Sequence, residues 1–216
     1  MLDCNKKRYD FEDLLDIMRI LRAPGGCPWD GEQTHESIRR NFIEEVYEAC
    51  EAIDISDDRL LCEELGDVLL QVVFHAQIAC DRGAFNIEDV CDGVSKKLIH
   101  RHPHIFGDRK LETSEQVLEM WEEVKKKEKQ QKTASESIDQ IAKTLPALIY
   151  AEKVQKKAAK SGIDIDCKCD TDDIGDRLFD LVAQARAQGV DPEKALADAT
   201  NRFIARFNEA EKAQKK

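Results

Sequence analysis

Glycine and proline are scarce in this chain of 216 residues, at 10 and 5 copies, and aromatic side chains make up only 6%. A sheet-rich fold needs frequent turn residues and β-branched alternation, and neither recurs here. No apolar run nears the roughly 20 residues that a spanning helix requires. The opening stretch MLDCNKKRYDFEDLL holds no uninterrupted apolar segment, which argues against a signal peptide. Positive charge is in deficit as well, with 33 Lys and Arg against 44 Asp and Glu and a net charge of −11. Nucleic-acid backbones and anionic lipid surfaces are gripped by an excess of Lys and Arg, so neither is an expected partner. No Cys-x-x-Cys pair occurs among the eight cysteines, and the spacing of Cys167 and Cys169 alone does not make a zinc site. Reduced thiols in a cytoplasmic protein are the expectation. Cys50, Cys62, Cys80 and Cys91 fall in helical patterns and read as small apolar residues.

What the sequence has is helical periodicity. Apolar residues recur at three and four, as in Leu14, Ile17, Met18, Leu21 and in Leu61, Leu65, Val68, Val72. Pro24-Gly25-Gly26-Cys27-Pro28 ends a first helix. Thr34 or Ser37 can cap a second, running to about Ile53, and Ser56 a third that closes at Arg82-Gly83. Asn86 with Asp89 starts a fourth that stops near His102-Pro103, and Thr113 with Gln116 a fifth whose end, KKKEKQQKTASES, reads as solvated or frayed. A sixth enters at Leu145-Pro146, and two more finish the chain. The predicted fold class is all-α, an antiparallel helical bundle. Leu65-Gly66-Asp67-Val68-Leu69 recurs as Ile174-Gly175-Asp176-Arg177-Leu178, which suggests a reduced second copy of a helix pair. The expected division is therefore a first domain over 1–130 and a second helical region over 131–216.

The informative cluster is acidic. At about 100° per residue, Glu45 and Glu48 share one helix face, and Glu64 and Asp67 share one on the next helix. The short connection Asp54–Asp58 makes those helices antiparallel neighbours, so two carboxylate pairs would meet. Acids on a helix ordinarily face water. These abut Ile43, Val46 and Ile53 on one helix and Leu61, Leu65 and Val68 on the other. Carboxylates crowded beside apolar surface repel one another unless a cation compensates, and oxygen ligands without His or Cys select Mg²⁺ or Mn²⁺. Lys97 and Arg101 form a basic i,i+4 stripe, and Trp121 with Lys125 forms a second such pair. His100, His102 and His104 straddle Pro103, so helix capping or proximity to phosphate is preferred over a metal cluster.

Glu44-Glu45-x-x-Glu48, fifteen residues, then Glu64-x-x-Asp67 resembles the EExxE…ExxD signature of the MazG-type all-α nucleoside triphosphate pyrophosphohydrolases. The segments GGCPWDGEQTHESIRRNFIEEVYE, ELGDVLLQVVFHAQ, RHPHIFGD and LPALIYAEKVQKKAAKSG extend the likeness in order over about residues 8–162. The resemblance implies hydrolysis between the α- and β-phosphates, giving a nucleoside monophosphate and pyrophosphate. It also implies Mg²⁺, with Mn²⁺ as a possible substitute, on Glu45, Glu48, Glu64 and Asp67. By the same resemblance Lys97 and Arg101 contact phosphate, Trp121 and Lys125 close over the nucleotide, Trp29 lies at the substrate pocket, and the chain forms a homodimer. Glu44 reads either as the group that positions or deprotonates the attacking water or as a solvated acid. Trp121 could equally be a core anchor. The second copy keeps Asp173-Ile174-Gly175-Asp176, Arg202 and Arg206 but has no EExxE helix before them, so it is expected to be catalytically silent. Two alternatives stay open: a narrow relative of the dUTPase, dCTPase or phosphoribosyl-ATP pyrophosphohydrolase kind, and a non-enzymatic helical interaction module.

Overall fold

The computed structural model describes residues 3–128, 133–163 and 173–215, and in the fifth predicted helix the side chains of residues 122 and 125–127 lie outside the description. Cys167 and Cys169 fall outside the described residues. Every regular element among those described is a helix: α1 (Phe11–Arg22), α2 (Pro28–Glu32), α3 (Arg39–Asp54), α4 (Asp58–Asp81), α5 (Ile87–Arg101), α6 (Pro103–Phe106), α7 (Ser114–Glu128), α8 (Ala134–Asp139), α9 (Ala147–Ala159), α10 (Ile174–Ala187) and α11 (Pro192–Gln214). The all-α expectation holds. By contacts the chain forms two compact units, Met1–Glu112 and Thr113–Lys216.

In the first unit, α4 is the central element, with α3, α1 and α5 packed against it. Its core is Met18 from α1, Ile38, and Val73, Phe74 and Ile78 from the C-terminal half of α4, with Leu14, Leu15, Leu70 and Ile87 packed around them. Asp10 opens α1 with a capping box to Asp13, and Asn86 opens α5 with one to Asp89. Between α1 and α2 the two glycines have different duties. Gly25 takes φ +84°, and a Cβ on Gly26 would collide with the carbonyl oxygens of Ile20 and Leu21.

Two expected caps are placed differently. Thr34 and Ser37 bond each other's backbone N–H groups, at 2.9 and 3.3 Å, and so close a turn ahead of α3. The helix itself begins after Ile38, which has no capping side chain but is buried in the core. The cap of α4 is Asp57, whose carboxylate accepts from Arg59 N and Leu60 N, while Ser56 takes a left-handed φ of 57° in the reversal before it. The stretch read as frayed carries α8, opened by a Thr133–Glu136 capping box. Cys50, Cys62, Cys80 and Cys91 lie on helices as expected, but on exposed surface instead of in the core. In the second unit α9 contacts α8, α10 and α11, and Gln155 is buried with its amide nitrogen donating to Phe179 O at 2.7 Å. No described helix is long and apolar enough to cross a membrane.

Candidate divalent-cation site

Ala49 and Ala52 are the buried residues of α3. Their small side chains let α3 and α4 approach closely beside the acids, as ridge-into-groove packing requires of contact positions. Glu45 and Glu48 from α3 and Glu64 from α4 each offer a carboxylate oxygen within 4.8 Å of the other two. Partial burial pushes the Glu45 carboxyl above its ordinary value, and the charges of Asp67 and Glu48 push the same way. Glu64 is raised by burial first and then by Glu48 and Asp67. Asp67, one turn after Glu64, thus stands in the same electrostatic cluster.

The donor set fits a hard divalent ion. Two oxygens each about 2.1 Å from one Mg²⁺ lie roughly 3–4.2 Å apart, close to the 4.8 Å within which the three glutamate oxygens lie. All donors are carboxylate oxygens, the chemistry that selects Mg²⁺ or Mn²⁺ over zinc. A Cβ on Gly66, between Leu65 and Asp67, would meet nothing within 4 Å, so α4 is open on the side that Gly66 faces, about 100° round from Asp67.

The remaining candidates are placed as follows. Glu44 accepts from Arg40 Nε at 2.7 Å on the surface of α3. Lys97 is exposed and Arg101 half-buried in the last two turns of α5. His102 ends that helix, its Nδ1 2.6 Å from Leu98 O, as a C-capping group. Trp29 on α2 is 59% exposed, with its ring edge-on to Phe74 at 6.4 Å. Trp121 is half-buried on α7, and the Lys125 side chain is outside the description.

Three features escape the sequence reading. The side chain of Arg22, only 7% exposed, pairs with Asp81 at 2.7 Å, donates to the carbonyls of Asp30 and Gln33, and lies 5.5 Å from the centre of the Phe74 ring. It ties α2, and with it Trp29, to α1 and α4. His35 and His75 meet Nδ1 to Nδ1 at 2.8 Å with stacked rings. Gln71 is buried on α4. A helical wheel could have put Gln71 and His75 on the Glu64–Asp67 stripe, whereas nothing local marks Arg22 as buried.

An all-α bundle in which two neighbouring helices bring three carboxylates together defines a helical protein with an acidic cluster of oxygen donors. The comparisons with known proteins make that class particular. A family model described as the MazG nucleotide pyrophosphohydrolase domain matches residues 33–106, the span that holds all four acids, Lys97 and Arg101. The nucleoside triphosphate pyrophosphohydrolase/pyrophosphatase MazG of Thermotoga maritima is 45% identical over 222 residues, 93% of this chain and 85% of that protein. The nucleoside triphosphate pyrophosphohydrolase of Escherichia coli K12 is 40% identical over 226 residues, 92% of this chain and 86% of its own. A crystal structure of a mazG-related protein from Thermotoga maritima shares 32% identity, with a TM-score of 0.46 over 53% of this chain and 98% of that one. The chain belongs to the MazG nucleotide pyrophosphohydrolase family.

Proposed function

We propose that this chain is a Mg²⁺-dependent nucleoside triphosphate pyrophosphohydrolase that cleaves NTPs or dNTPs between the α- and β-phosphates, releasing monophosphate and pyrophosphate. The observation that carries the reading is the convergence of Glu45, Glu48 and Glu64 within 4.8 Å. These residues, with Asp67, would hold the cation, and Mn²⁺ can take its place. Once bound, it supplies neutralisation of phosphate charge and acidification of the attacking water. Glu44 has one carboxylate oxygen fixed by Arg40. Its second oxygen is left to orient or accept a proton from that water. Lys97 and Arg101, on one stripe of α5, offer cationic contacts to the phosphates. The roles of Trp29 at the pocket and of Trp121 and Lys125 over the nucleotide rest on the motif resemblance.

The second unit supports a division of labour along the chain. Asp173 caps α10, accepting from Asp176 N at 3.0 Å, so this remnant of the acid motif serves a helix end. We assign catalysis to the region 1–130 and a non-catalytic role to 131–216. Ile43, Val46 and Ile53 on α3 and Leu65 and Leu69 on α4 each expose at least 40% of their surface beside the acids. Apolar area of that kind fits the homodimer reading. A cytoplasmic location accords with the absence of any long apolar helix among the described residues.

Product analysis tests the reaction. Purified protein is incubated with NTPs and dNTPs, with Mg²⁺ or with chelator, and the products are separated. Monophosphate and pyrophosphate formed only with metal are the expected result. Diphosphate with orthophosphate would sink the α–β assignment.

A further inference from the structure

Gln71 is a polar residue that the folding of the first unit does not explain. The residue is 7% exposed, and its amide oxygen is fully enclosed with no hydrogen-bond partner among the described residues. An enclosed acceptor left unmatched destabilises a protein, whereas an apolar side chain of the same shape at that point would not. Buried polar atoms without partners are uncommon in folded proteins. One explanation for such an atom is a group, absent from the resting molecule, that completes the bonding.

The position of Gln71 says what that group is. At about 100° per residue, Glu64, Asp67, Gln71 and His75 span roughly 80° around α4, as one stripe, with Gln71 between Glu64 and Asp67 in angle. Its two ends both meet α3. Glu64 is perturbed by Glu48 and Glu45 by Asp67 at one end, and the His75 ring lies 5.5 Å from the Phe42 ring at the other. Gln71 therefore stands in the α3–α4 seam, about 6 Å of helix rise below Asp67, between the acids and the histidine. An amide oxygen can only accept. The ionised carboxylates above it have no proton to give, whereas a water molecule held by a cation at the acids has one.

We propose that Gln71 is a positioning residue of the acid site, its amide oxygen accepting from the hydration water of a divalent cation held by Glu45, Glu48, Glu64 and Asp67. The inference rests on the cation reading of those acids. It gives Gln71 opposite effects in the two states: unfavourable without cation and favourable with it. Partners beyond the ligands commonly alter metal affinity by about 10- to 100-fold when removed.

The test is calorimetric titration of the full chain with Mn²⁺, without nucleotide, alongside melting of the metal-free protein. Gln71→Met keeps length and volume and removes the acceptor, and Gln71→Leu is the second variant. The expected result is Mn²⁺ affinity weakened about tenfold, with the metal-free melting midpoint equal to or above wild type. Unchanged Mn²⁺ affinity overturns the proposal whatever the midpoint does. So does a lowered metal-free midpoint in both variants, since that marks Gln71 as a structural contact. Wild-type protein that fails to bind Mn²⁺ removes the cation reading itself, a failure separate from that of Gln71.

Discussion

Replacing Arg22 by alanine isolates the clasp that carries Trp29. The guanidinium donates to two carbonyl oxygens, those of Asp30 and Gln33, and to the Asp81 carboxylate at 2.7 Å. It also lies 5.5 Å from the Phe74 ring centre. Hydrogen bonds from a charged donor contribute about 1.5–3 kcal/mol each, and a cation facing a ring adds roughly 0.5–1 kcal/mol. The Asp81 side chain is 36% exposed, so that pair counts for less than about 1 kcal/mol after solvent screening. Such contacts share one side chain and do not add fully. We therefore expect Arg22→Ala to cost about 3 kcal/mol, taken from the low end of these ranges. At roughly 4–6 °C per kcal/mol for a unit of this size, the melting midpoint should fall by about 12–18 °C. Arg22→Lys keeps the charge but not the planar fork that reaches two carbonyls and a carboxylate together, and should fall about half as far. Urea denaturation at neutral pH with matched m-values gives the free energies directly. A loss below about 1 kcal/mol for Arg22→Ala would refute the assignment of Arg22 as the clasp.

Glu64→Gln should abolish Mg²⁺-dependent turnover and the Mg²⁺-induced rise in melting midpoint together. At ten times its dissociation constant the cation stabilises wild type by about 1.4 kcal/mol, so a shift of roughly 6 °C should vanish. Without metal the same variant should melt no lower than wild type, because three like-charged pairs among the clustered glutamates fall to one. The acids also fix a pH dependence. Glu45 and Glu64 are raised above their ordinary 4.5, so in metal-free protein they contribute stability below about that pH, which is lost as pH rises through their folded values. The cation competes with those protons, and the Mg²⁺ shift should therefore grow between pH 5 and pH 7; a shift independent of pH would contradict the assignment. His75 runs the opposite way. Burial and the charge of His35 lower it below 6.5, so its contribution is present above pH 6.5 and is lost as pH falls through its folded value. Melting from pH 8 to 5 should show a steeper decline in wild type than in His75→Gln.

The parts of this fold legible in the sequence are those whose cause is local. Asn86 and Asp89 announce the start of α5 because a capping box needs only residues three apart. Glu45 with Glu48 and Glu64 with Asp67 share faces because helix geometry alone puts them there. The start of α3 was not legible, since the core position of Ile38 decides it and the Thr34–Ser37 pair closes a turn instead. Helices as short as α2, α6 and α8, of five, four and six residues, are too brief to display a 3.6-residue period. Arg22 and Gln71 are polar residues whose burial is tertiary. Composition predicts both on the surface, and only the packing of α1, α3 and α4 reveals them.

The two Gly-Asp motifs show how one spacing can serve two different ends. Glu64 and Asp67 stand more than a turn inside α4, where each backbone N–H has a carbonyl four residues before it. Their carboxylates owe nothing to the helix end, and Asp57 already satisfies the first N–H groups. Asp173 and Asp176 repeat the separation at the very start of α10, where the first N–H groups have no intrahelical acceptor. The Asp173 oxygen is taken by the Asp176 N–H, and the motif becomes a cap. Moving the start of the helix relative to an otherwise similar pattern is thus enough to turn a pair of face-sharing carboxylates into a helix cap. A helix of carboxylates opposite is also required for the cluster, and α3 supplies it with Glu45 and Glu48, drawn close by Ala49 and Ala52. The acids on α4 sit on the open half of a helix whose other half is anchored by Val73, Phe74 and Ile78. That anchoring offsets the repulsion which the clustered charges impose when no cation is bound.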